Sequence, residues 1–489
     1  MIDFTLRLRA SLARRGSTPL RRALADAMRQ ALADATLSAG APLPASRVLA
    51  QELGVGRNSV LQVYEQLATE GWLVADRQGT HVAHLGARHP RADAPPAAPL
   101  PALAARSATW GDAIDDDEAP RPFLPGVPAL AEFPLDDWRR RVAQAWRAMP
   151  AGALADRDVG GEPVLRAAIA AHLQAARGVR CSPDQVVVTS GTQESLALCA
   201  QLLADPGDRA WVENPGYIGA STALASAGLR LVPVPIDAQG MAPPAVAWRR
   251  APPRLVYTTP SHQFPLGVAL SLARRLELLT RASAAGAWIL EDDYDSEFCR
   301  GEPLAAMQGL QPDAPVVYLG TFSKTLYPAL RLGYLVLPRA ATERVRTALA
   351  RRLPPGRSAE QEALAGFLHD GGFARHLRRM RRLYAQRHAA LLAALEAEWP
   401  LPLQRSPGEG GMHLALGLPA QVADRAVVAL ARTRGLAPRA LSSHLVGSGP
   451  PLNGLVLGYA NVDAGDVVPL VRELASVVRQ VAGGFIRNP

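Results

Sequence analysis

Residues 318–337 read YLGTFSKTLYPALRLGYLVL. Two apolar runs, one ending at Thr321 and the other starting at Leu332, read as strands, and the polar segment between them carries Lys324. This is the only lysine in the chain, although the sequence holds 53 basic side chains. Everywhere else the cation is arginine. Arginine stays protonated and is a poor nucleophile, whereas a buried lysine can lose its proton and attack a carbonyl to form a Schiff base. The choice of lysine at this one position therefore suggests covalent chemistry.

Working outward, further short apolar runs alternate with helical patterns: QVVVTSG, RAWVENP, LRLVPVPI, RLVYTTP and WILEDDY precede the pair around Lys324. Such alternation predicts an α/β domain, a mostly parallel sheet with helices on both faces. Ligands of such sheets bind at the carboxyl ends of the strands. There the sequence places SGTQ (Ser190, Gly191, Thr192, Gln193), where helix-start N–H groups and small hydroxyls can cradle a phosphate. It also places Asp292 and Tyr294 after WILE, a carboxylate for a protonated ring nitrogen and a phenol for a ring oxygen. Arg331 follows Lys324 closely enough to pair with the same phosphate. Taken singly, each feature has an ordinary counterpart in a capped helix or a surface charge. Together they supply what pyridoxal 5′-phosphate needs. From Pro354 the pattern gives long helices, and the remainder reads as a smaller α+β lobe.

Before this domain, TPLRRALADAMRQALADATL, ASRVLAQELG and VGRNSVLQVYEQLATEGW read as helices, and LVADRQGTHVAHL as a hairpin around Gly79. That is the layout of a winged helix-turn-helix. The second helix of such a unit enters the major groove. Its first residues here, Arg57, Asn58 and Ser59 after Gly56, are expected to face bases, since Arg reads guanine and Asn adenine. Ser46 and Arg47 are placed for phosphates, and Arg77, Gln78, Thr80 and His81 of the wing for backbone or minor-groove contact. Val48, Leu49, Leu53, Val60, Val63, Tyr64 and Leu67 are expected in the core. Through Ala92, twelve arginines face seven acidic residues, a basic balance that suits double-stranded DNA. A Pro- and Ala-rich stretch, residues 88–122, reads as a linker between a winged helix at 1–87 and the larger domain at 123–489.

The bulk numbers agree with a multidomain globular chain: 489 residues, 48% apolar and 20% charged, with net charge +9. The three cysteines fit neither a metal spacing nor an even disulfide framework. No apolar run reaches membrane-span length, and the start shows no leader-type apolar core, so a cytoplasmic location and no membrane partner are expected.

SGTQESL, ENPGY, TPSHQFPLG, EDDYDSEF and GTFSKTLYPALRLGY resemble, in order and spacing, the fold-type I pyridoxal-phosphate aminotransferases. The first block resembles the GntR-type winged helix, and the fusion is similar to the MocR group of bacterial transcription regulators. The resemblance implies that Lys324 is the Schiff-base lysine, that Asp292 meets the pyridine nitrogen and that Tyr294 lies near the 3′-oxygen. It implies phosphate contacts from Thr192, Gln193, Thr321, Ser323 and Arg331, stacking by Tyr217, and a place in the site for His262 and Gln263 of PSHQ. It further implies a homodimer and a small amine or amino-acid effector. Two positions depart from the aminotransferases. Phe264 stands where they carry asparagine, and Leu455–Val462 lacks the arginine that clamps a substrate carboxylate, with Arg439 either a surface residue, the preferred reading, or its substitute. The expectation is a DNA-binding regulator with a cofactor-binding sensor, capable at most of slow or half-reaction transamination. The alternative is a working amino-acid aminotransferase with a vestigial or protein-binding winged helix.

Overall fold

The computed structural model describes residues 2–34, 36–83, 120–155, 158–299, 305–351, 356–408, 410–447 and 452–483. Contacts divide the chain into two units, Met1–Ala102 and Leu103–Pro489. All but the last three residues of the expected linker lie outside the described residues.

Four helices and a hairpin make the first unit: α1 (Ile2–Ala13), α2 (Leu20–Ala33), α3 (Ser46–Leu53), α4 (Arg57–Thr69), β1 (Leu73–Asp76) and β2 (Gly79–Val82). Gly54 ends α3 in the left-handed conformation, φ 68°, which glycine adopts without a Cβ penalty. The turn to α4 is therefore tight. Tyr64 is buried, and its hydroxyl donates to the Pro44 carbonyl (2.7 Å), tying α4 to the segment before α3. Helix α1 has no counterpart in the sequence reading. Its apolar residues Phe4 and Leu8 are four apart and fully buried against α2 and α3, and Thr5 donates to Glu52. One expected core residue is misplaced. Val48 is 47% exposed, whereas Leu49 is 0%. Successive helical residues turn by about 100°, so an eight-residue helix with Leu49 and Ala50 inward must point Val48 out. Leu53 is half-buried.

The second unit carries the helices α5 (Leu135–Ala148), α6 (Pro163–Arg177), α7 (Thr192–Leu203), α8 (Ile218–Ser226), α9 (Ala247–Arg250), α10 (Leu272–Ala285), α11 (Met307–Leu310), α12 (Arg339–Leu349), α13 (Ser358–His369), α14 (Gly372–Glu398), α15 (Asp424–Thr433) and α16 (Val467–Ala482). Its strands are β3 (Val186–Thr189), β4 (Arg209–Asn214), β5 (Arg230–Asp237), β6 (Gly240–Met241), β7 (Leu255–Thr258), β8 (Trp288–Asp293), β9 (Val316–Thr321) and β10 (Gly333–Val336), then β11 (Gln404–Arg405), β12 (His413–Gly417), β13 (Arg439–Ala440) and β14 (Gly454–Gly458). The first eight form one sheet in the order β3-β10-β9-β8-β7-β4-β5-β6. Strands β9, β8, β7, β4 and β5 are mutually parallel. Strand β10 runs against both neighbours. The reason is the connection: residues 322–332 form no α-helix, and a parallel crossover needs about a dozen residues or more. The sheet is thus mostly parallel, with β10 reversed inside it and the two-residue β6 reversed at its edge, and Lys324 lies in the short link at the carboxyl end of β9.

Adjacent residues of β8, Ile289 and Leu290, enter different apolar clusters, so both faces of the sheet are covered. The strands β11-β12-β14-β13 form a second, antiparallel sheet. With α15 and α16 it makes the smaller α+β lobe. Among the described residues no helix is long and apolar enough to cross a membrane.

Leu49→Ala is expected to lower the stability of the first unit by about 2–5 kcal/mol, while Val48→Ala changes it by less than about 0.5 kcal/mol. Native-state hydrogen exchange of α3 and α4 in the two variants checks the difference.

Candidate functional site

The carboxyl ends of β3, β7, β8 and β9 surround a cavity of about 270 Å³. Ten of the twelve residues expected to hold the cofactor line it: Gly191, Thr192, Gln193, Tyr217, Asp292, Tyr294, Thr321, Ser323, Lys324 and Arg331. His262 and Gln263 do not; both are buried behind its wall.

One end of the cavity is a helix start. Gly191 caps α7 at φ 111° and ψ 179°, a conformation open to glycine alone among common residues. A Cβ on Gly333, the first residue of β10, would lie 2.8 Å from the Gly191 Cα, so the reversed strand must begin with glycine for this loop to sit on it. The first N–H groups of α7 have no carbonyl within the helix, and the helix dipole favours an anion there. Thr321, Ser323 and Arg331 stand around the same cavity. Gln193 Nε2 donates to the Tyr217 hydroxyl (2.9 Å), fixing the aromatic that follows β4.

On another wall, Asp292 is 3% exposed at the end of β8. Its Oδ2 accepts the Tyr257 hydroxyl (2.7 Å) from neighbouring β7. Its Oδ1 is buried with no hydrogen-bond partner among the described residues. Burial pushes the carboxyl up to about 7, against the opposing pull of the Tyr257 hydrogen bond. Lys324 Nζ donates to the Gly126 carbonyl (2.9 Å). A Cβ on Gly126, which has φ 78°, would fall 2.7 Å from that nitrogen, so the lysine has room only beside a glycine. Burial lowers the Lys324 pKa, with Asp295 and Asp292 pulling it back up. The cavity therefore offers an anion seat, a carboxylate seeking a donor and an amine held toward its nucleophilic form.

Gln263 shapes this wall from behind. It donates to the Pro215 carbonyl (2.8 Å) and to Glu213 (3.2 Å). Glu213 also accepts the Thr258 and Thr259 hydroxyls at 2.6 Å, so a fully satisfied carboxylate anchors the end of β7. His262 bonds Asp295 and Tyr294. Phe264 lines the cavity, its ring edge-on to Tyr217 and to Tyr294, both at 6.1 Å. Among the described lining residues Arg331 is the one guanidinium; Arg439, in β13, is not on the wall. Sequence reasoning missed Gly126, Tyr257, Thr259, Met412 and His413, which also line the cavity. Tyr257 carried a usable signal, because a phenol in a continuous apolar strand needs a buried partner.

In the first unit, Arg57 and Asn58 are exposed at the start of α4, with Ser59 half-buried beside them. Arg47 is exposed and Ser46 half-buried at the start of α3. In the wing, Arg77 and Gln78 are exposed in the turn, held by a Gln78 N–H bond to Asp76 (2.7 Å), while Thr80 and His81 on β2 are half-buried.

The Asp292 carboxyl is raised in the folded state, so it contributes stability below its unfolded pKa, and that contribution is lost as pH rises through about 7. In cofactor-free protein, Asp292→Asn is expected to gain stability relative to the parent as pH moves from 5 to 8. Denaturant midpoints at the two pH values check this, and a pH-independent difference contradicts it.

Comparison with known proteins places both units. Residues 129–451 match the family "Aminotransferase class I and II", and residues 20–82 match "Bacterial regulatory proteins, gntR family". The chain is 38% identical over 460 residues to the probable rhizopine catabolism regulatory protein MocR of Rhizobium meliloti, with 92% of each chain covered. It is 34% identical to the pyridoxine biosynthesis transcriptional regulator PdxR of Corynebacterium glutamicum, covering 90% of this chain and 92% of the relative. Among solved structures it is similar to LysN, the α-aminoadipate aminotransferase of Thermus thermophilus, with TM-score 0.66 and 30% identity over 73% of this chain and 92% of that one. The aminotransferase accounts for the second unit, whereas relatives spanning both units are transcription regulators. The chain belongs to the MocR-type regulators, in which a gntR-family winged helix is joined to an aminotransferase class I and II domain.

Proposed function

We propose that this protein is a DNA-binding transcription regulator whose aminotransferase-like unit binds pyridoxal 5′-phosphate and senses it, or a small amine or amino acid that reacts with it. The observation that carries the reading is the cavity pairing of Lys324 with Asp292, whose buried Oδ1 lacks a partner. A protonated pyridine nitrogen would satisfy that oxygen and hold the carboxyl ionised. Thr192, Gln193, Thr321, Ser323, Arg331 and the N-terminus of α7 would hold the phosphate, and Tyr217 would face the ring. Bound there, pyridoxal phosphate supplies an electrophilic carbon that reacts reversibly with amines. LysN, whose solved structure contains N-(5′-phosphopyridoxyl)-L-leucine, supports the same choice of cofactor.

Arg57, Asn58 and Ser59 would read base edges, with Ser46, Arg47 and the wing residues Arg77, Gln78, Thr80 and His81 on the DNA backbone or in the minor groove. A homodimer would present two such heads to a two-part operator. A ligand that shifts this binding must favour one arrangement of the protein over another.

Two substitutions test the reading. Lys324→Ala is expected to abolish the visible absorption band that pyridoxal phosphate acquires on binding to the parent protein; an unchanged band contradicts it. Arg57→Ala is expected to weaken binding to the specific operator by about 1–3 kcal/mol, measured by fluorescence anisotropy at fixed salt. Equal affinity would remove Arg57 from the DNA interface.

A further inference from the structure

Behind the cavity wall lies a buried pair that cofactor binding does not account for. His262 and Asp295 are 3% and 1% exposed. His262 Nδ1 lies 3.0 Å from Asp295 Oδ2 and 3.2 Å from Oδ1. The Tyr294 hydroxyl lies 3.1 Å from the same Nδ1 and donates to the His262 carbonyl (2.9 Å). Tyr294 lines the cavity; His262 and Asp295 do not.

The fold makes room for this pair at a specific cost. A Cβ on Gly411 would fall 2.2 Å from His262 Cε1 and 2.8 Å from Asp295 Oδ2. A Cβ on Gly267 would fall 3.0 Å from His262 Nε2. Two glycines thus open the space in which the ring and the carboxylate meet. With Asp295 as the acceptor, Nδ1 carries the hydrogen and points it between Asp295 and the Tyr294 oxygen. The phenol is then fixed on two sides, by Nδ1–H on its oxygen and by the carbonyl that takes its proton.

We propose that the Asp295–His262 pair is a positioning device for the Tyr294 phenol, and through it sets the protonation of the group formed at Lys324. The proposal rests on pyridoxal phosphate binding at Lys324. Phe264 occupies the neighbouring wall and has no hydrogen bond to offer from its side chain, so Tyr294 is the hydroxyl on that side whose direction matters. Asp295 also acts on the lysine directly: it is the first of the two carboxylates that raise the Lys324 pKa against burial. Other titratable groups near the pair are His413 from β12, 5.0 Å from the His262 ring, Cys299, Glu297, Asp292 and Lys324, with Glu213 acting on Tyr294 from β4. His413 is held neutral by burial and by His262. The Cys299 thiol is held protonated by burial and by Asp295 and Asp293. Although His262, Asp295 and Cys299 bring ligand atoms within 4.8 Å of one another, a protonated thiol and an Nδ1 already bonded to a carboxylate favour positioning over metal binding.

The test is a pair of substitutions read by spectroscopy on the full chain loaded with pyridoxal phosphate. The visible band of the bound cofactor is titrated against pH in the parent, His262→Gln, Tyr294→Phe and the double variant. His262→Gln is expected to move the midpoint by about half a pH unit or more, the worth of one hydrogen bond. In the Tyr294→Phe background the same substitution is expected to move it little. An unmoved midpoint in His262→Gln, or an equal shift in both backgrounds, overturns the proposal. Should His262→Gln fail to take up cofactor, His262→Asn replaces it in the cycle, with the same required dependence on Tyr294. A parent protein that shows no band at all removes the cofactor reading and this inference with it, which separates that failure from an intact band whose midpoint does not respond.

Discussion

Asp292 and Lys324 face one cavity, each taken out of water and each displaced from its ordinary protonation range. Burial raises the carboxyl to about 7 and lowers the amine. Among the described residues they are not joined by an ion pair, so the cavity keeps a carboxylate oxygen without a donor and an amine bonded only to a neutral carbonyl. Holding two such groups costs folding energy unless the frame around them is rigid. Much of the second unit reads as that frame. Tyr257 steadies Asp292 from the next strand, Glu213 ties down the end of β7, glycines at 126 and 333 allow approaches that larger residues would block, and Gly191 supplies the backbone angle that starts α7.

How much of this was legible follows from the range of each interaction. The strands were readable because strands buried on both faces are continuous apolar runs, and Lys324 because its chemistry is unusual in an arginine-writing sequence. The SGTQ turn was readable because a helix start follows a strand directly. The reversal of β10 follows from the shortness of its link to β9. Other contributors come from remote segments. Gly126 reaches Lys324 across 198 residues, and His262 meets Asp295 across 33. No local pattern announces such meetings. Helix α1 is not legible although Phe4 and Leu8 show helical spacing, because twelve residues carry little propensity signal without their packing partners. Val48 misleads for the opposite reason: it is apolar, but the short helix has only one inward face.

The aminotransferase fold does not by itself make the protein a transaminase. Relatives that span both units are regulators, and the described cavity wall has a single guanidinium, that of Arg331. Phe264 and His413 line the same cavity. On the proposed reading, the site would hold a reactive cofactor and meet an amine. Joined to a helix-turn-helix with exposed Arg57 and Asn58, that chemistry suits sensing, where a bound state matters more than turnover.

The most direct test of this account is the affinity of the full chain for DNA from its own upstream region, with and without pyridoxal phosphate, at two salt concentrations because phosphate contacts make such binding salt-dependent. The account predicts specific binding that changes when cofactor is added, and a Lys324→Ala protein that still binds the DNA but no longer responds. Binding no tighter than to unrelated DNA under every condition, or an undiminished cofactor response in Lys324→Ala, would contradict it.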